Sequence, residues 1–344
     1  MRKVYIIILL SVFMPLLASA QDDLSNLIQA GTENANALAE GYVQPFMKGF
    51  GTGLGSGWLN TAKAHKTLGF DLTVTVNGAF VPDKDLSYNP SRVGQNSSLT
   101  LLSPDAAPTM FGRDEEPRYA YSYTHEGRTF SGEFDGPASV IDIKNDMPMS
   151  VVPVPMAQLG IGIIKNTDIK IRWTPEVDVE DGSFKLIGFG VMHDIKQHIP
   201  GIKNLPFDLS AFVGYTSVSF DIPFDEEVNT TGGGVYTNNG LGQLDVNTLT
   251  GQATISKKIS VLTVYGGVGF NRVRSKIKLK GDYVVRDDFG NSESVSNPID
   301  LSFKEGGVKL NAGFRLKLAI VTLHADYTVQ QYDVLSVGFG FAVR

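Results

Sequence analysis

The chain of 344 residues contains no cysteine. A disulfide framework, a thiolate metal site and a lipid anchor on an N-terminal cysteine are all excluded. Histidine is scarce, with five in all: His65, His125, His193, His198 and His324. Positive charge is also short, at 30 Lys+Arg against 36 Asp+Glu. An acidic chain is a poor general partner for nucleic acid, so none is expected. After the first twenty residues, no apolar stretch approaches the roughly 18 residues that a helical membrane span needs. Two classes survive these absences. One is a soluble exported protein. The other is a membrane β-barrel, which hides its hydrophobicity in alternation.

What is present begins with a leader pattern. Arg2 and Lys3 precede an apolar run from Tyr5 to Leu17, and Ala18-Ser19-Ala20 follows. A charged start, a short apolar middle and small residues at the end read as a secretory signal peptide over 1–20, cleaved before Gln21. Loss of Arg2 and Lys3 leaves 28 cations against 36 acids, which deepens the acidic balance.

Residues 22–50 have a helical, amphipathic pattern. Asp22 or Asp23 can cap, and Leu24, Leu27, Ile28, Leu38, Tyr42 and Phe46 recur at roughly helical spacing. Pro45 and the glycines of GTGLGSG (51–57) are expected to end that pattern. The segment 21–66 is read either as a helical pair packed on the fold or as a plug inside or beneath a barrel. GTGLGSG lacks the lysine and the context of a phosphate loop. It reads as backbone packed closely against a barrel wall.

From Thr67 onward, apolar residues fall on every second position. Leu68, Phe70, Leu72, Val74 and Val76 alternate with Gly69, Asp71, Thr73, Thr75 and Asn77. Val321, Leu323, Ala325, Tyr327 and Val329 alternate with Thr322, His324, Asp326 and Thr328. This period of two predicts strands. Ten are expected, at 67–81, 155–164, 168–178, 184–193, 206–221, 246–257, 260–279, 306–318, 320–330 and 333–343. Their length of about ten residues suits a tilted membrane strand. The connections sort by parity: the long ones are 82–154, 222–245 and 280–305, and the intervening ones are mostly very short. Outer-membrane barrels show this asymmetry between outer loops and inner turns. YAYSYTH and RTFSGEF, inside 82–154, have the pattern of a further hairpin, which would raise the wall to twelve or fourteen strands. An even count puts both chain ends on the periplasmic side.

The succession of leader, helical segment, YVQPFMKGFGTGLGSGWLNTAKAHKTLGFDLTV and glycine-rich alternating strands resembles an uncharacterised family of outer-membrane barrels from Bacteroidota-type bacteria. More remotely, a helical hatch before a barrel is similar to the long-chain fatty acid transporter-like barrels, which move hydrophobic compounds. GWLNTAK (57–63) stands where that family carries a proline-containing signature, and here the proline is absent. The resemblance implies an all-β, transmembrane, antiparallel up-and-down barrel of ten to fourteen strands over 67–344, with a short helical plug at its N-terminus. It also implies a place in the outer membrane of a Gram-negative cell, in contact with outer-membrane lipid and inserted as a monomer by the barrel-assembly machinery.

Candidate binding residues are those whose charge is costly against hydrocarbon. NRVRSKIKLKGD (271–282) carries Arg272, Arg274, Lys276, Lys278 and Lys280 on one strand face. Each would cost about 2–4 kcal/mol at the lipid midplane, so they are expected to line the lumen or to rise above the membrane. Lys309, Arg315 and Lys317 follow on the next strand, and His324 and Asp326 share the inward face of 320–330. These eight, Arg272, Arg274, Lys276, Lys309, Arg315, Lys317, His324 and Asp326, are the expected lumen residues. His324, Asp326 and Ser336 hold the residue types of a nucleophilic triad, though lumen polarity explains them as simply. No catalytic residue, metal ligand or cofactor is expected, and MHDIKQH (192–198) reads as a solvated turn. The leading expectation for function is binding or passage of a small hydrophobic or amphipathic compound, with an anionic ligand as the basic face would favour. The alternative is a structural or surface-interaction barrel acting through its outer loops, and a barrel enzyme comes third.

Overall fold

The computed structural model describes residues 27–90, 97–139, 150–164, 166–179, 182–229, 234–286 and 291–343. The leader and the proposed caps Asp22 and Asp23 lie outside the described residues. Ten strands form the wall: β1 (Phe70–Phe80), β2 (Val151–Gly162), β3 (Thr167–Val179), β4 (Gly182–Asp194), β5 (Asp208–Asn229), β6 (Gly234–Ile259), β7 (Leu262–Lys280), β8 (Ile299–Leu318), β9 (Val321–Val329) and β10 (Val334–Val343). All ten expected strands are found. Each is antiparallel to its neighbours, β5 pairs with β6, and β1 pairs with β10 from Phe70↔Val343 to Ala79↔Val334. The sheet is therefore closed and has no edge to shield.

Alternation decides the two faces. On β9, Leu323, Tyr327 and Val329 are 47, 44 and 54 % exposed, while Thr322, His324, Asp326 and Thr328 are buried. On β1, Phe70, Leu72 and Val76 face out and Asp71, Thr73, Thr75 and Asn77 face in. An outward apolar belt over an inward polar wall is the inverse of a soluble barrel and fits lipid outside. The chain is a transmembrane barrel. An arginine at Leu323, in the middle of β9, should therefore cost about 2–4 kcal/mol of folding free energy. Denaturant titration in lipid vesicles checks this, and a neutral result would argue that this face does not meet lipid.

Tight turns close one rim between β2 and β3, at 260–261 and at 319–320. Asn166, Ser260 and Ala319 take φ of 59°, 56° and 55° there, as short hairpin turns demand. At the opposite rim the connection after β1 is long. The expected loop 222–245 is instead an extension of β5 and β6 as paired strands, and 280–305 holds a strand pair, Asp282–Arg286 and Ser292–Ser296, joined to the end of β6. The hairpin expected inside 82–154 is present as Arg118–His125 and Arg128–Asp135. It joins Ser97–Ser103 in a separate three-stranded sheet and adds nothing to the wall. The strand count is ten.

Among the described residues, one α-helix, α1 (Thr32–Leu54), precedes the barrel, after a short 3-10 turn at Ile28–Ala30. The expected stop at Pro45 does not occur, because Pro45 lies inside the helix; the stop at the glycines does, since the helix ends at Leu54 with Gly55 as its cap, inside GTGLGSG. Helix-breaking rules describe a solvated helix, whereas α1 is buried along most of its length, against β1, β2, β7 and β8. Of the two chain ends, the C-terminal strand end falls at the turn rim as expected, and the N-terminal end lies outside the described residues. Val343 sits at the turn rim, paired with Phe70. The described chain starts at the other rim, where Tyr123 of the outer sheet lies against Gly31 and Asn36 bonds the carbonyl of Pro298. From there it descends the lumen to Gly69, which bonds Gly162 at the turn rim.

Candidate functional site

A helix ends with carbonyls that have no partner within the helix, and its dipole makes that end negative. In α1 this end is buried in the lumen, where water cannot serve. The wall supplies cations instead. Arg172 on β3 donates from one terminal nitrogen to Leu54 O at 2.8 Å and from the other to Ser56 O at 2.8 Å. Its Nε donates to Gln158 Oε1 at 3.1 Å, and its guanidinium lies 3.6 Å over the Trp58 ring. Lys309 on β8 donates to Gly55 O at 3.1 Å, and Thr250 on β6 donates to the same oxygen at 3.1 Å. Three consecutive carbonyls are thus held from three strands. Such charge-assisted bonds are the strong ones in a low-dielectric site.

The helix must also fit. An α-helix with ordinary side chains is about 10–12 Å across, and a ten-stranded barrel is little wider than one whose lumen side chains alone fill. Glycine narrows α1 on two opposite sides. A Cβ on Gly49 or Gly53 would stand 2.4 or 2.5 Å from Val152 or Val154 of β2. A Cβ on Gly51 or Gly55 would stand 2.4 or 2.2 Å from Val273 or Asn271 of β7. β2 and β7 are five places apart in a ring of ten strands, which is diametrically opposite. Alternating glycines give this double contact because two residues turn a helix by about 200°. The expectation that GTGLGSG packs closely against a wall matches this arrangement.

Below the grip lies a small apolar cluster of Trp58, Leu59, Met192 and Phe212, and then a polar floor. His65 Nδ1 is 2.8 Å from Asp168 Oδ2, and its backbone N–H donates to Asp168 Oδ1 at 2.9 Å. His65 Nε2 lies 3.3 Å from Asp71, and Lys170 reaches Asp71 at 3.8 Å. The chain is thus tethered at the point where it turns into β1. Above the grip the lumen wall is apolar, with Val152, Val154, Val218, Val246, Val273 and Leu301 buried around α1.

The eight expected lumen residues divide. Lys309, Arg315, His324 and Asp326 are buried inside the barrel. Lys317 is half-buried and donates to Ala342 O at 2.9 Å near the turn rim. Arg272, Arg274 and Lys276 do not line the lumen. They are exposed and share the outward face of β7 with Val264, Val268 and Phe270, while Asn271, Val273 and Ser275 face in. The alternation is unbroken along β7, so residues of even number stay outside throughout. Of the two placements expected for these cations, their exposure rules out the lumen, and they follow Phe270 at the end of the outward apolar residues of β7.

The suggested triad is not assembled. His324 Nε2 lies 3.2 Å from Thr75 Oγ1, and Asp326 accepts from Tyr265 at 3.0 Å. Ser336 sits across from Asp326 but bonds to neither side chain. At the turn rim, His193 and His198 do meet, Nε2 to Nε2 at 2.9 Å. A helical spacing argument keeps them apart, but the strand end and a 3-10 turn at Lys196–His198 fold one ring onto the other. Among the described residues, no three His, Asp or Glu side chains cluster closely enough to hold a metal.

The loop rim is roofed. The outer three-stranded sheet packs Tyr119 on Phe134 and Tyr123 on Phe130, with ring centroids 5.2 and 5.1 Å apart. Tyr42 of α1 donates to Ala138 O at 2.8 Å, and Tyr332 donates to Asp85 at 2.7 Å. Roof, plug and upper wall form one continuous apolar core. Burial raises the Tyr119 hydroxyl to about 12, and burial with the Asp85 bond raises Tyr332 further. A tyrosine whose folded value is raised contributes stability that is complete below the ordinary value near 10. That stability is lost as pH climbs through the folded value. The roof should therefore be intact at pH 9 and loosen toward pH 12. A tyrosinate absorbance titration should show a late class that shrinks in Tyr119→Phe, and a single titration near 10 would refute the buried roof.

A closed sheet with an outward apolar belt and an occupied lumen, polar below the grip and apolar above it, defines the class: a plugged membrane-spanning β-barrel. Within it, the chain belongs to the family of unknown function DUF6588, whose pattern matches residues 1–343. No curated protein matches the chain. Among solved structures it is similar to the attachment invasion locus protein Ail of Yersinia pestis, at 9 % identity and TM-score 0.25 over 81 % of this chain and 99 % of that one. The translocator domain of the autotransporter NalP from Neisseria meningitidis matches at 8 % identity and TM-score 0.30, over 81 and 90 %. The monoaromatic hydrocarbon channel TodX, as a deletion mutant, matches at 10 % and 0.27, over 90 and 71 %. The barrel assignment rests on the closing strand pairs, not on these likenesses.

Proposed function

We propose that this protein is an outer-membrane barrel kept shut by α1, which works at the cell surface through the roof over its loop rim as a structural or surface-interaction protein. The observation that carries this reading is the grip of Arg172 and Lys309 on the carbonyls of residues 54–56. A plug bound by charge-assisted bonds and pressed between opposite walls is built to stay. Insertion as a monomer by the barrel-assembly machinery belongs to the same proposal. The test is conductance of the purified chain in planar bilayers, with heat-modifiable migration and fractionation to establish outer-membrane placement. The wild type should be nearly silent, and steady open-channel current would overturn the closed reading.

A second reading is passage of a small hydrophobic compound. It is favoured by the apolar upper lumen around α1. It requires α1 to shift, so a covalent tether between α1 and β2 should abolish uptake while leaving the fold intact. Uptake that is unchanged by the tether would rule this route out.

A further inference from the structure

We infer that the outward face of β7 and β8, just beyond the apolar belt, is a binding site for the phosphorylated headgroup of an outer-leaflet glycolipid. The inference rests on the outer-membrane placement proposed above. Phe270 and Val308 are 48 and 69 % exposed and end the apolar face of their strands. They are cross-strand partners. Beyond them on the same outward face stand Arg272, Arg274, Lys276, Lys278 and Lys280 on β7, and on β8 Gly306 followed by Lys304. The outward carboxylates paired in register with this stripe are Asp245 and Asp300. Asp300 is taken by Lys278 at 2.8 Å, and Asp245 accepts a bond from Ser219. Among the described residues, Arg272, Arg274, Lys276 and Lys304 form no ion pair.

One pairing is decisive. Arg274 stands directly across from Lys304, with the uncharged Asn247 on its other side. Like charges directly opposite on a sheet destabilise it. An anion between them reverses the sign of that contact. The position beside lipid makes a headgroup phosphate the anion to hand, and guanidinium and ammonium groups both bind phosphate oxygens strongly.

The height of the stripe selects the headgroup. Arg272 to Lys280 is eight residues, about 26 Å along a strand at roughly 3.3 Å each. At a tilt of about 40° this is a rise of roughly 20 Å. The polar zone of an ordinary leaflet is about 5–8 Å deep. A glycerophospholipid presents its phosphate at one level. A glycolipid with phosphates and acidic sugars at successive levels fits the whole stripe.

The full-length protein, refolded in detergent, is titrated with purified lipopolysaccharide and separately with phosphatidylglycerol, and binding is followed by thermophoresis. The test variant is Arg272→Gln/Arg274→Gln/Lys276→Gln. The control is Lys257→Gln/Lys258→Gln, exposed cations beside the 260–261 turn at the opposite rim. Each cation near a charged surface contributes about fivefold in affinity, so the triple variant should lose at least about tenfold for lipopolysaccharide. The control should match wild type, and phosphatidylglycerol should bind weakly to all three proteins. Heat-modifiable migration verifies that each variant is folded. Should the triple variant not fold, the single charge reversal Arg274→Glu replaces it with the same expected loss. Equal affinity of wild type and folded variant overturns the site, as does equal binding of phosphatidylglycerol. Fractionation separates the two levels of failure. A chain in the outer membrane with no lipopolysaccharide difference refutes the headgroup site alone, and a chain absent from that membrane refutes the placement as well.

Discussion

Arg172→Ala should release the plug. The arginine is 1 % exposed and serves the carbonyls of Leu54 and Ser56, one glutamine and one indole ring. Its removal leaves the buried Leu54 O and Ser56 O without their donor, together with a cavity beside Trp58. Breaking one side of such a buried charged network costs about 3–5 kcal/mol. The barrel itself does not depend on Arg172, because its closure lies in backbone pairing around ten strands. The expected result is therefore specific: the folded, heat-modifiable barrel survives with lower thermal stability, and planar-bilayer current rises as α1 leaves its seat. Arg172→Lys keeps the charge but cannot span two carbonyls with a planar fork, so it should recover only part of the loss. A silent and fully stable Arg172→Ala protein would show that the grip does not hold the plug. Lys309→Met tests the same end of α1 from β8 and should act in the same direction, more weakly, because Thr250 still serves Gly55 O.

The wall was legible because a period of two is a local property: VTLHADYTVQ announces both faces of β9 without reference to any other segment. Arg272, Arg274 and Lys276 could also have been placed from the sequence. They share even numbering with Val264, Val268 and Phe270, and an unbroken strand cannot move its even residues inside. Considered alone, NRVRSKIKLKGD hides this; considered with the apolar residues before it, the run marks where β7 leaves the membrane. Arg172 was legible in kind, since it alternates with Ile171 and Trp173 in IKIRW, but not in role. Its partners are carbonyls more than a hundred residues away, and backbone oxygens leave no mark in sequence. The course of α1 was illegible for a similar reason. Pro45 and the glycines disfavour a helix locally, and only the confinement between β2 and β7 overrides that preference.

The same confinement gives the second large effect. Gly49→Val alone presses on Val152, and Gly51→Val alone presses on Val273. Each single change can be relieved in part by a small shift of α1 toward the opposite wall, at the usual overpacking cost of about 1–3 kcal/mol. The double change cannot be relieved so, because a shift away from β2 is a shift into β7. Its cost should exceed the sum of the singles, in contrast to the additivity of distant independent sites. The positive coupling is the signature of a helix squeezed between opposite walls. Denaturant titrations of wild type, the two singles and the double supply the cycle, and bilayer current reports whether α1 has been expelled. Gly49→Val/Gly53→Val is the matched control. Both of its side chains press on β2, so one shift relieves both and the pair should cost less than the sum of its singles. If the two double variants couple with the same sign, the picture of opposed walls fails.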